Sequence, residues 1–274
     1  MAQIQPKKSL GQHFLHDKNI ANKIVDLLAP LDDSIVVEIG PGTGVLTDLL
    51  LQRKLTLIAV ELDTRSVDFL QIKYYDKLDK NFFLIKQDFL EFDFKSIFQK
   101  YNKKVLVIGN IPYYITSPIL FHLFNSSHYI ERAVMMTQKE IAERLKAKIR
   151  TKDYGILTLA CQLFGEISKI YSVPPSCFSP PPNVTSAFFS INFHLNIDDN
   201  LIKEKMSVLK LIRTLFQQRR KTISNSLKLF IQNKELYNNI INSDNLIINK
   251  YLKLRPEELT LDDFLILHKL LLTF

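Results

Sequence analysis

From residue 34 onward, short apolar runs rich in β-branched residues alternate with stretches of helical periodicity. The apolar runs are 35–37, 57–60, 82–85, 105–108 and 133–136, and helices are predicted between them, among them 45–53 and 63–75. Buried strands that read as continuous apolar runs are typical of a parallel sheet covered by helices on both faces. The pattern therefore predicts an α/β domain, whose edge we expect residues 167–173 and 186–193 to close as antiparallel strands.

The pattern changes after residue 194. Residues 196–200 read as a polar linker, and the segments beyond it that carry helical periodicity are 201–216, 223–230 and 261–272. Thr260 followed by Asp263 predicts an N-terminal cap for the last of these helices. We therefore expect an α/β domain over residues 1–195 and a small all-helical domain over residues 196–274.

Composition narrows the classes of protein that this chain can belong to. No run approaches the roughly 20 apolar residues that span a bilayer, and no signal peptide precedes the first motif, so we expect a cytoplasmic protein without membrane contact. Two cysteines, Cys161 and Cys177, are too few for a zinc site, and we expect buried, reduced thiols and no metal. A net charge of +8 favours a polyanionic partner.

Basic residues concentrate between positions 203 and 221, where seven lysines and arginines stand against one acid, Glu204. A merely solvated helix face usually mixes charges of both signs. We expect this segment to contact nucleic-acid phosphates through Arg213, Arg219, Arg220 and Lys221. The alternative is that Arg219 and Arg220 bridge the two domains through acids such as Glu143.

The first strand leads into a glycine turn, residues 38–44, with the sequence EIGPGTG. Glycines at alternate positions let the backbone turn tightly and approach a ligand, and the following helix presents free N–H groups. A dinucleotide fingerprint would need a third glycine where Val45 or Thr47 stands. The turn is instead similar to the S-adenosylmethionine loop of Rossmann-like methyltransferases, although a purely structural glycine turn would look the same.

Acids follow the next two strands at the edge where ligands bind in open α/β sheets. Glu61 ends the second strand, where a carboxylate can accept two hydrogen bonds from ribose hydroxyls. Asp88, after the third strand, is suited to accept a hydrogen bond from an adenine amine. Phe89, the next residue, is suited to flank the adenine ring. Either acid alone would more often be a helix cap, but together with the glycine turn they predict a nucleoside-containing cofactor.

The fourth strand ends in Asn110-Ile111-Pro112-Tyr113. An exocyclic adenine amine is a poor nucleophile because its lone pair is delocalised into the ring. Acceptors on its N–H bonds favour a pyramidal nitrogen, and the Asn110 side-chain oxygen and the Ile111 carbonyl are placed for that task. Pro112 fixes the turn and Tyr113 offers a stacking face for an extruded base.

A stiff, proline-dense loop at 174–184 holds Phe178. We expect the Phe178 ring to form a sandwich around the target adenine together with Tyr113. The alternative is that Phe178 packs in the hydrophobic core.

With these motifs, the chain resembles the bacterial small-subunit rRNA adenine dimethyltransferases (KsgA/RsmA type) almost from end to end. The segments that carry the resemblance are 8–15 (KSLGQHFL), 38–44, 110–118 (NIPYYITSP), 138–145 (QKEIAERL), 178–187 (FSPPPNVTSA) and 216–222 (FQQRRKT). It implies a Rossmann-like class I methyltransferase sheet whose cofactor is S-adenosyl-L-methionine. The residues it places at that cofactor are His13, Leu15, Gly40, Gly42, Glu61, Asp88 and Asn110.

The resemblance also implies a substrate. Its members dimethylate N6 of two adjacent adenosines in the 3′-terminal hairpin loop of 16S rRNA within an immature small ribosomal subunit, and we expect this chain to do so as a monomer. One alternative is an Erm-type dimethylase of 23S rRNA, from which Ser117-Pro118 and the 216–222 segment point away. A DNA adenine methyltransferase is another, although Asn-Pro-Pro-Tyr is commoner there. A third is an assembly factor acting mainly by RNA binding, against which the intact Gly40, Glu61 and Asn110 argue.

Overall fold

The sheet that the alternating pattern predicts is present in the computed structural model, which describes residues 4–7, 11–195 and 199–274. Its parallel strands are β2 (Ile35–Ile39), β3 (Thr56–Glu61), β4 (Phe82–Lys86), β5 (Val105–Asn110) and β6 (Ile130–Gln138). The predicted antiparallel edge is formed by β7 (Gly165–Ile167), β8 (Tyr171–Val173) and β10 (Ser186–Phe193). The strand order β4-β3-β2-β5-β6-β10-β7 confirms the Rossmann-like prediction.

Helices connect the parallel strands: α2 (Val45–Leu50), α3 (Thr64–Lys73), α4 (Phe94–Tyr101) and α5 (Thr116–Asn125), while α6 (Lys139–Leu145) follows β6. The helix α1 (Lys18–Leu28), which the sequence analysis did not identify, precedes β2. Asp17 caps α1 and Asp63 caps α3, each with a carboxylate that accepts from N–H groups of the first turn. Such caps satisfy donors that have no partner inside the helix.

A second, two-stranded sheet joins the N-terminal segment to the proline-rich loop. Its strands are β1 (Phe14–Leu15) and β9 (Phe178–Ser179), which pair antiparallel with Leu15 opposite Phe178. Two-residue strands have no periodicity to reveal them, so the sequence did not predict this pairing. Lys8, Ser9 and Leu10 of the first motif lie outside the described residues, as do residues 196–198 of the predicted linker.

The contacts divide the chain into two compact units, and the division differs from the predicted boundary at residue 195. The first unit comprises Met1–Ala142 and Gly165–Asn196, and the second comprises Glu143–Phe164 and Ile197–Phe274. The helix α7 (Ile156–Phe164) packs against α8 (Asp199–Phe216) and so belongs to the second unit. The sequence assigned α7 to the α/β domain because it lies between strands along the chain.

The second unit is helical, as predicted. Its remaining helices are α9 (Ile223–Leu227), α10 (Lys234–Ile241), α11 (Leu246–Leu252) and α12 (Leu261–Leu271). The predicted cap of α12 is confirmed, since the Thr260 hydroxyl accepts from the Asp263 N–H and the Asp263 carboxylate accepts from the Thr260 N–H. Among the residues that the structure describes, no helix is long and apolar enough to cross a membrane. Cys161 and Cys177 are buried, as expected.

Candidate active site

A cleft in the first unit lies at the carboxyl ends of β2, β3, β4 and β5, beside the segment that leads into β1. Neighbouring parallel strands end at one edge of the sheet, which is why residues from separate parts of the sequence meet there. The predicted site residues that line this cleft are His13, Leu15, Gly40, Gly42, Glu61, Asp88, Asn110, Ile111, Pro112 and Tyr113. Phe178 is not among them.

The glycine turn after β2 adopts the tight backbone conformation that its alternate glycines predict. Gly40, Gly42 and Gly44 have φ of 59°, 58° and 81°, in the left-handed region that favours glycine. A Cβ at Gly42 would come within 3.0 Å of the Phe14 ring, whereas one at Gly40 would meet nothing within 4 Å. The turn is therefore packed against protein at Gly42 and faces open space at Gly40, where a ligand can approach the bare backbone.

Behind the turn lies a polar cluster that the sequence analysis missed. The Tyr74 hydroxyl lies 3.0 Å from the Gly44 carbonyl and 2.7 Å from Asp48 Oδ1, two acceptors that share its single proton. Lys73 Nζ lies 2.7 Å from Asp48 Oδ2 and donates to the Thr43 carbonyl at 3.3 Å. A Cβ at Gly44 would lie 2.5 Å from the Tyr74 hydroxyl, so this contact requires glycine there. The cluster thus fixes the carbonyls of the last two residues of the turn.

Glu61 is held at the end of β3 by backbone donors. Its Oε2 accepts from the Gly42 N–H at 3.1 Å and its Oε1 from the Asp63 N–H at 2.9 Å. Burial raises the pKa of this carboxyl, while these hydrogen bonds oppose the rise. Each oxygen keeps a second lone pair, so the carboxylate is oriented and can still accept from a ligand.

Glu38, the first residue of the glycine turn motif, is a second acid in the cleft wall. It is fully buried, and Thr47 Oγ1 donates to its Oε2 at 2.7 Å. Desolvation raises the pKa of Glu38 to about 8, and the nearby charge of Glu61 acts in the same direction. A carboxyl with this pKa is mostly protonated at neutral pH, so Glu38 does not add its own negative charge beside Glu61.

The N-terminal segment is joined to the site by a network around Asp63, also not anticipated. Arg65 binds Asp63 with its Nε and Nη2, and Gln12 Nε2 donates to Asp63 Oδ2 at 2.9 Å. The Arg65 side chain also donates to the Gln5 carbonyl at 3.0 Å. Hydrogen bonds from Arg65 lower the pKa of Asp63 to about 2, so the network persists at any physiological pH. Gln12 directly precedes His13, whose placement in the cleft this network supports.

Asp88 lies in the cleft as predicted, and Phe89 borders it. Asp88 Oδ1 accepts from the Leu90 N–H at 2.9 Å and caps a short 3-10 turn. The Phe89 ring is buried and packs edge-on against His122 and Phe94, at centroid distances of 5.5 and 5.9 Å. Phe89 therefore belongs to an aromatic cluster at the cleft wall.

The Asn110–Tyr113 turn lies at the end of β5. Asn110 Nδ2 donates to the His13 carbonyl at 3.0 Å. Because a carbonyl only accepts, this contact fixes the amide orientation and leaves Oδ1 as the acceptor on the other side. The Ile111 N–H donates to the Met136 carbonyl at 2.9 Å, which ties the turn to β6.

Two further contacts orient the aromatic side of the site. The Tyr113 hydroxyl lies 2.6 Å from Ser186 Oγ, and the Tyr113 ring stacks on the His13 ring at a centroid distance of 5.7 Å. His13 Nδ1 lies 2.8 Å from the Pro180 carbonyl. Burial raises the pKa of Tyr113, so its hydroxyl remains a neutral hydrogen-bonding group.

The predicted sandwich of Tyr113 and Phe178 is not formed in this structure. The Phe178 side chain is 3% exposed and belongs to the hydrophobic core, with Leu15, Val173 and Cys177 in the same cluster. Pairing of β9 with β1 places the Phe178 ring in the core, where it buries apolar surface. Phe178 therefore packs in the core, which was the alternative to the sandwich. The proline-rich loop contributes the Pro180 carbonyl beside His13 instead.

In the second unit, the four predicted phosphate-binding residues have different surroundings. Arg220 and Lys221 are exposed, whereas Arg213 is partly buried, which lowers its pKa. Arg219 Nε donates to Glu257 Oε2 at 2.7 Å, and its Nη1 and Nη2 donate to the carbonyls of Lys152 and Thr151. These contacts of Arg219 lie within the second unit, which also includes Glu143, and the acid that Arg219 binds is Glu257 and not the predicted Glu143.

Comparison with known proteins finds similar sequences over nearly the whole chain. The family described as ribosomal RNA adenine dimethylase matches residues 3–269. A ribosomal RNA small subunit methyltransferase A of Mycoplasma mobile is 41% identical over 95% of this chain and 96% of its own length.

Solved structures agree in fold. A dimethyladenosine transferase from Plasmodium falciparum superposes with a TM-score of 0.76 at 26% identity, covering 93% of this chain and 96% of its own. The 23S rRNA methyltransferase ErmE has a TM-score of 0.62 at 23% identity over 93% of this chain and 99% of its own, a likeness of fold alone. With the family match extending over nearly all of its length, the chain belongs to the ribosomal RNA adenine dimethylases.

Proposed function

We propose that this rRNA adenine dimethylase acts on the small ribosomal subunit, with S-adenosyl-L-methionine as its methyl donor. The observation that carries the proposal is the convergence of the glycine turn, Glu61 and Asn110 on one cleft. The small-subunit assignment rests on relatives such as that of Mycoplasma mobile, whereas the likeness to ErmE is one of fold. The target that the resemblance implies is the pair of adjacent adenosines in the 3′-terminal 16S rRNA hairpin, in an immature subunit in the cytoplasm.

The cleft fits the proposed cofactor. Gly40 offers backbone without a Cβ toward open space, as a bulky ligand lying on the turn requires. Glu61 presents an oriented carboxylate for ribose hydroxyls, and Asp88 has a second carboxylate oxygen for an adenine amine. When bound, S-adenosylmethionine supplies an electrophilic methyl group.

The residues at the end of β5 act on the target amine. Asn110 Oδ1, oriented by the contact of Nδ2 with His13, accepts one N–H bond of the adenine amine. We assign the second acceptor to the Ile111 carbonyl, held in place by the anchored Ile111 N–H and by Pro112. Two acceptors favour a pyramidal nitrogen and localise its lone pair for attack, a preference realised in the transition state. The nitrogen loses its proton to solvent after methylation, because the cationic product is acidic.

Tyr113 holds the base. Its ring is fixed by the Ser186 contact and by His13, so its orientation is set before RNA binds. A preoriented aromatic face reduces the entropic cost of ordering an extruded base. Asn110 and Tyr113 therefore position the amine and the ring of the same adenosine.

Methyl transfer to defined substrates tests the assignment. The protein is incubated with labelled S-adenosylmethionine and small subunits that lack the modification, large subunits, or double-stranded DNA, and N6,N6-dimethyladenosine is quantified by mass spectrometry. We expect the product on small subunits alone. Product on large subunits would assign the chain to the Erm-type activity, and product on DNA would overturn the rRNA assignment.

A further inference from the structure

A second basic segment lies in the helical unit, separate in sequence from residues 203–221. Every second residue from 144 to 152 is basic and exposed: Arg144, Lys146, Lys148, Arg150 and Lys152. Three of the residues between them are less exposed: Leu145 is buried, and Ala147 and Ile149 are partly buried. The alternation directs a row of positive charge to solvent while the intervening side chains face the protein.

This segment, called here the basic loop (residues 144–152), begins with the last two residues of α6 and is fixed to the rest of its unit by several contacts. The Arg150 N–H donates to the Glu257 carbonyl at 3.2 Å, and Arg150 Nη2 lies 3.5 Å from Glu258 Oε1. Just beyond the loop, the buried Tyr154 donates its hydroxyl to the Leu259 carbonyl at 2.7 Å. The loop is thus anchored to residues 257–259 at several points.

Arg219 completes the anchoring. Its guanidinium donates to the Thr151 carbonyl at 2.8 Å and to the Lys152 carbonyl at 2.7 Å, while its Nε is bound to Glu257. Three of its five N–H donors are therefore used inside the protein, and its charge is offset by Glu257. Arg220 and Lys221, the next residues along the chain, are exposed, so the same contacts bring the basic loop beside them.

We propose that the basic loop and the pair Arg220–Lys221 form one phosphate-binding surface for rRNA, with Arg219 as the residue that positions the loop. The inference rests on the proposed function for the identity of the RNA. Evenly spaced lysines and arginines contact phosphates without reading bases, and this orients the RNA rather than selects its sequence. Arg219, by contrast, does not contact the RNA in this proposal. It affects RNA binding indirectly, because its hydrogen bonds to the carbonyls of Thr151 and Lys152 hold the basic loop in place.

Binding of a 16S rRNA transcript over a range of salt concentrations tests the surface. Lys148→Ala/Lys152→Ala removes two exposed cations of the basic loop, and the matched control Lys234→Ala/Lys250→Ala removes two exposed lysines of α10 and α11. Each lost phosphate contact should reduce the slope of log affinity against log salt by about 0.7 to 0.9. We expect this reduction for the loop variant and not for the control, with unchanged cofactor affinity in both.

Arg219→Gln tests the positioning role in a double-mutant cycle with the loop variant. If Arg219 acts through the loop, the loss of affinity in the triple variant should be smaller than the sum of the losses from Arg219→Gln and from the loop variant, because Lys148 and Lys152 contribute less once the loop is displaced. Additive losses would overturn the positioning role, and a loop variant with the salt slope of the control would overturn the surface. The loop substitutions are exposed and test the surface even if Arg219→Gln unfolds. Failure of the wild-type protein to methylate small subunits would instead count against the proposed function.

Discussion

At the scale of single residues, Glu61 combines two tasks. Its oxygens accept from the N–H groups of Gly42 and Asp63, and the residue lines the cleft in which we propose that the ribose binds. We expect Glu61→Ala to weaken binding of S-adenosylhomocysteine roughly ten- to a hundred-fold, because about 1.5–3 kcal/mol of hydrogen bonding to a charged group is lost. Calorimetric titration measures this, with the exposed Glu91→Ala as the matched control. An unchanged dissociation constant would remove Glu61 from the cofactor site.

Tyr74 lies behind the glycine turn. Tyr74→Phe removes the hydroxyl whose proton is shared between the Gly44 carbonyl and Asp48. We expect a loss of about 1–2 kcal/mol of stability and a several-fold weaker cofactor affinity, since the turn loses a fixed carbonyl. Tyr75→Phe is the control, because that side chain is 81% exposed. Equal melting temperatures and affinities for the two variants would show that the hydroxyl does not support the turn.

Glu38 gives the protein a pH dependence of known sign. Its pKa rises from 4.5 to about 8 on folding, so between these values the folded state holds a proton that the unfolded state has released. The stabilisation from this group is full below about pH 4.5 and is lost as pH rises through 8. We therefore expect the wild-type protein to lose stability relative to Glu38→Gln between pH 5 and 9. Denaturant unfolding across this range measures the difference, and a pH-independent difference would mean that Glu38 is ionised in the folded state.

At the scale of elements, the capping box at α12 is a local feature with a measurable contribution. Thr260→Ala removes the hydroxyl that accepts from the Asp263 N–H, and we expect a loss of about 1 kcal/mol in the free energy of unfolding. Thr260→Ser keeps the hydroxyl and should retain most of the stability. Equal losses for both variants would show that the methyl group, and not the cap, stabilises this helix end.

Elements with a periodic or motif signal were predictable from sequence, and those made by distant pairing were not. The parallel strands, the glycine turn and the Thr260 cap were correctly placed because each is encoded over neighbouring residues. The β1–β9 pairing joins residues far apart in the chain through two-residue strands, so it leaves no local pattern. That pairing also draws Phe178 into the core, which is why a loop phenylalanine was expected in the cleft.

The contacts of Tyr74 and Arg65 that support the site could not be predicted from sequence for a related reason. Tyr74 reads as part of the apolar face of the helix predicted over residues 63–75, and Arg65 reads as a solvated charge in its first turn. Their roles depend on Gly44 and Gln12, which folding brings close. Sequence motifs therefore identified the residues expected to touch ligands, whereas the residues that orient them required the structure.

At the scale of the whole molecule, each unit has a distinct chemical character. The first holds the cleft with its buried acids and the Asn110–Tyr113 turn, and the second presents the basic loop and Arg220–Lys221. The chain enters the second unit twice, at Glu143–Phe164 and again after residue 196. The basic loop is thus placed in the helical unit by its contacts, although it precedes the last strands in sequence.

We propose that the turn at the end of β5 positions adenosines of small-subunit rRNA for methylation. Mass-spectrometric mapping of 16S rRNA, after small subunits lacking the modification are incubated with S-adenosylmethionine and either wild-type protein or Asn110→Ala, tests it most directly. We expect two adjacent N6,N6-dimethyladenosines in the 3′-terminal hairpin with the wild-type protein. With Asn110→Ala we expect less than about a tenth of the rate, equivalent to at least about 1.4 kcal/mol of lost transition-state stabilisation, and a retained melting temperature. Dimethylation elsewhere, or a variant as fast as wild type, would contradict the account.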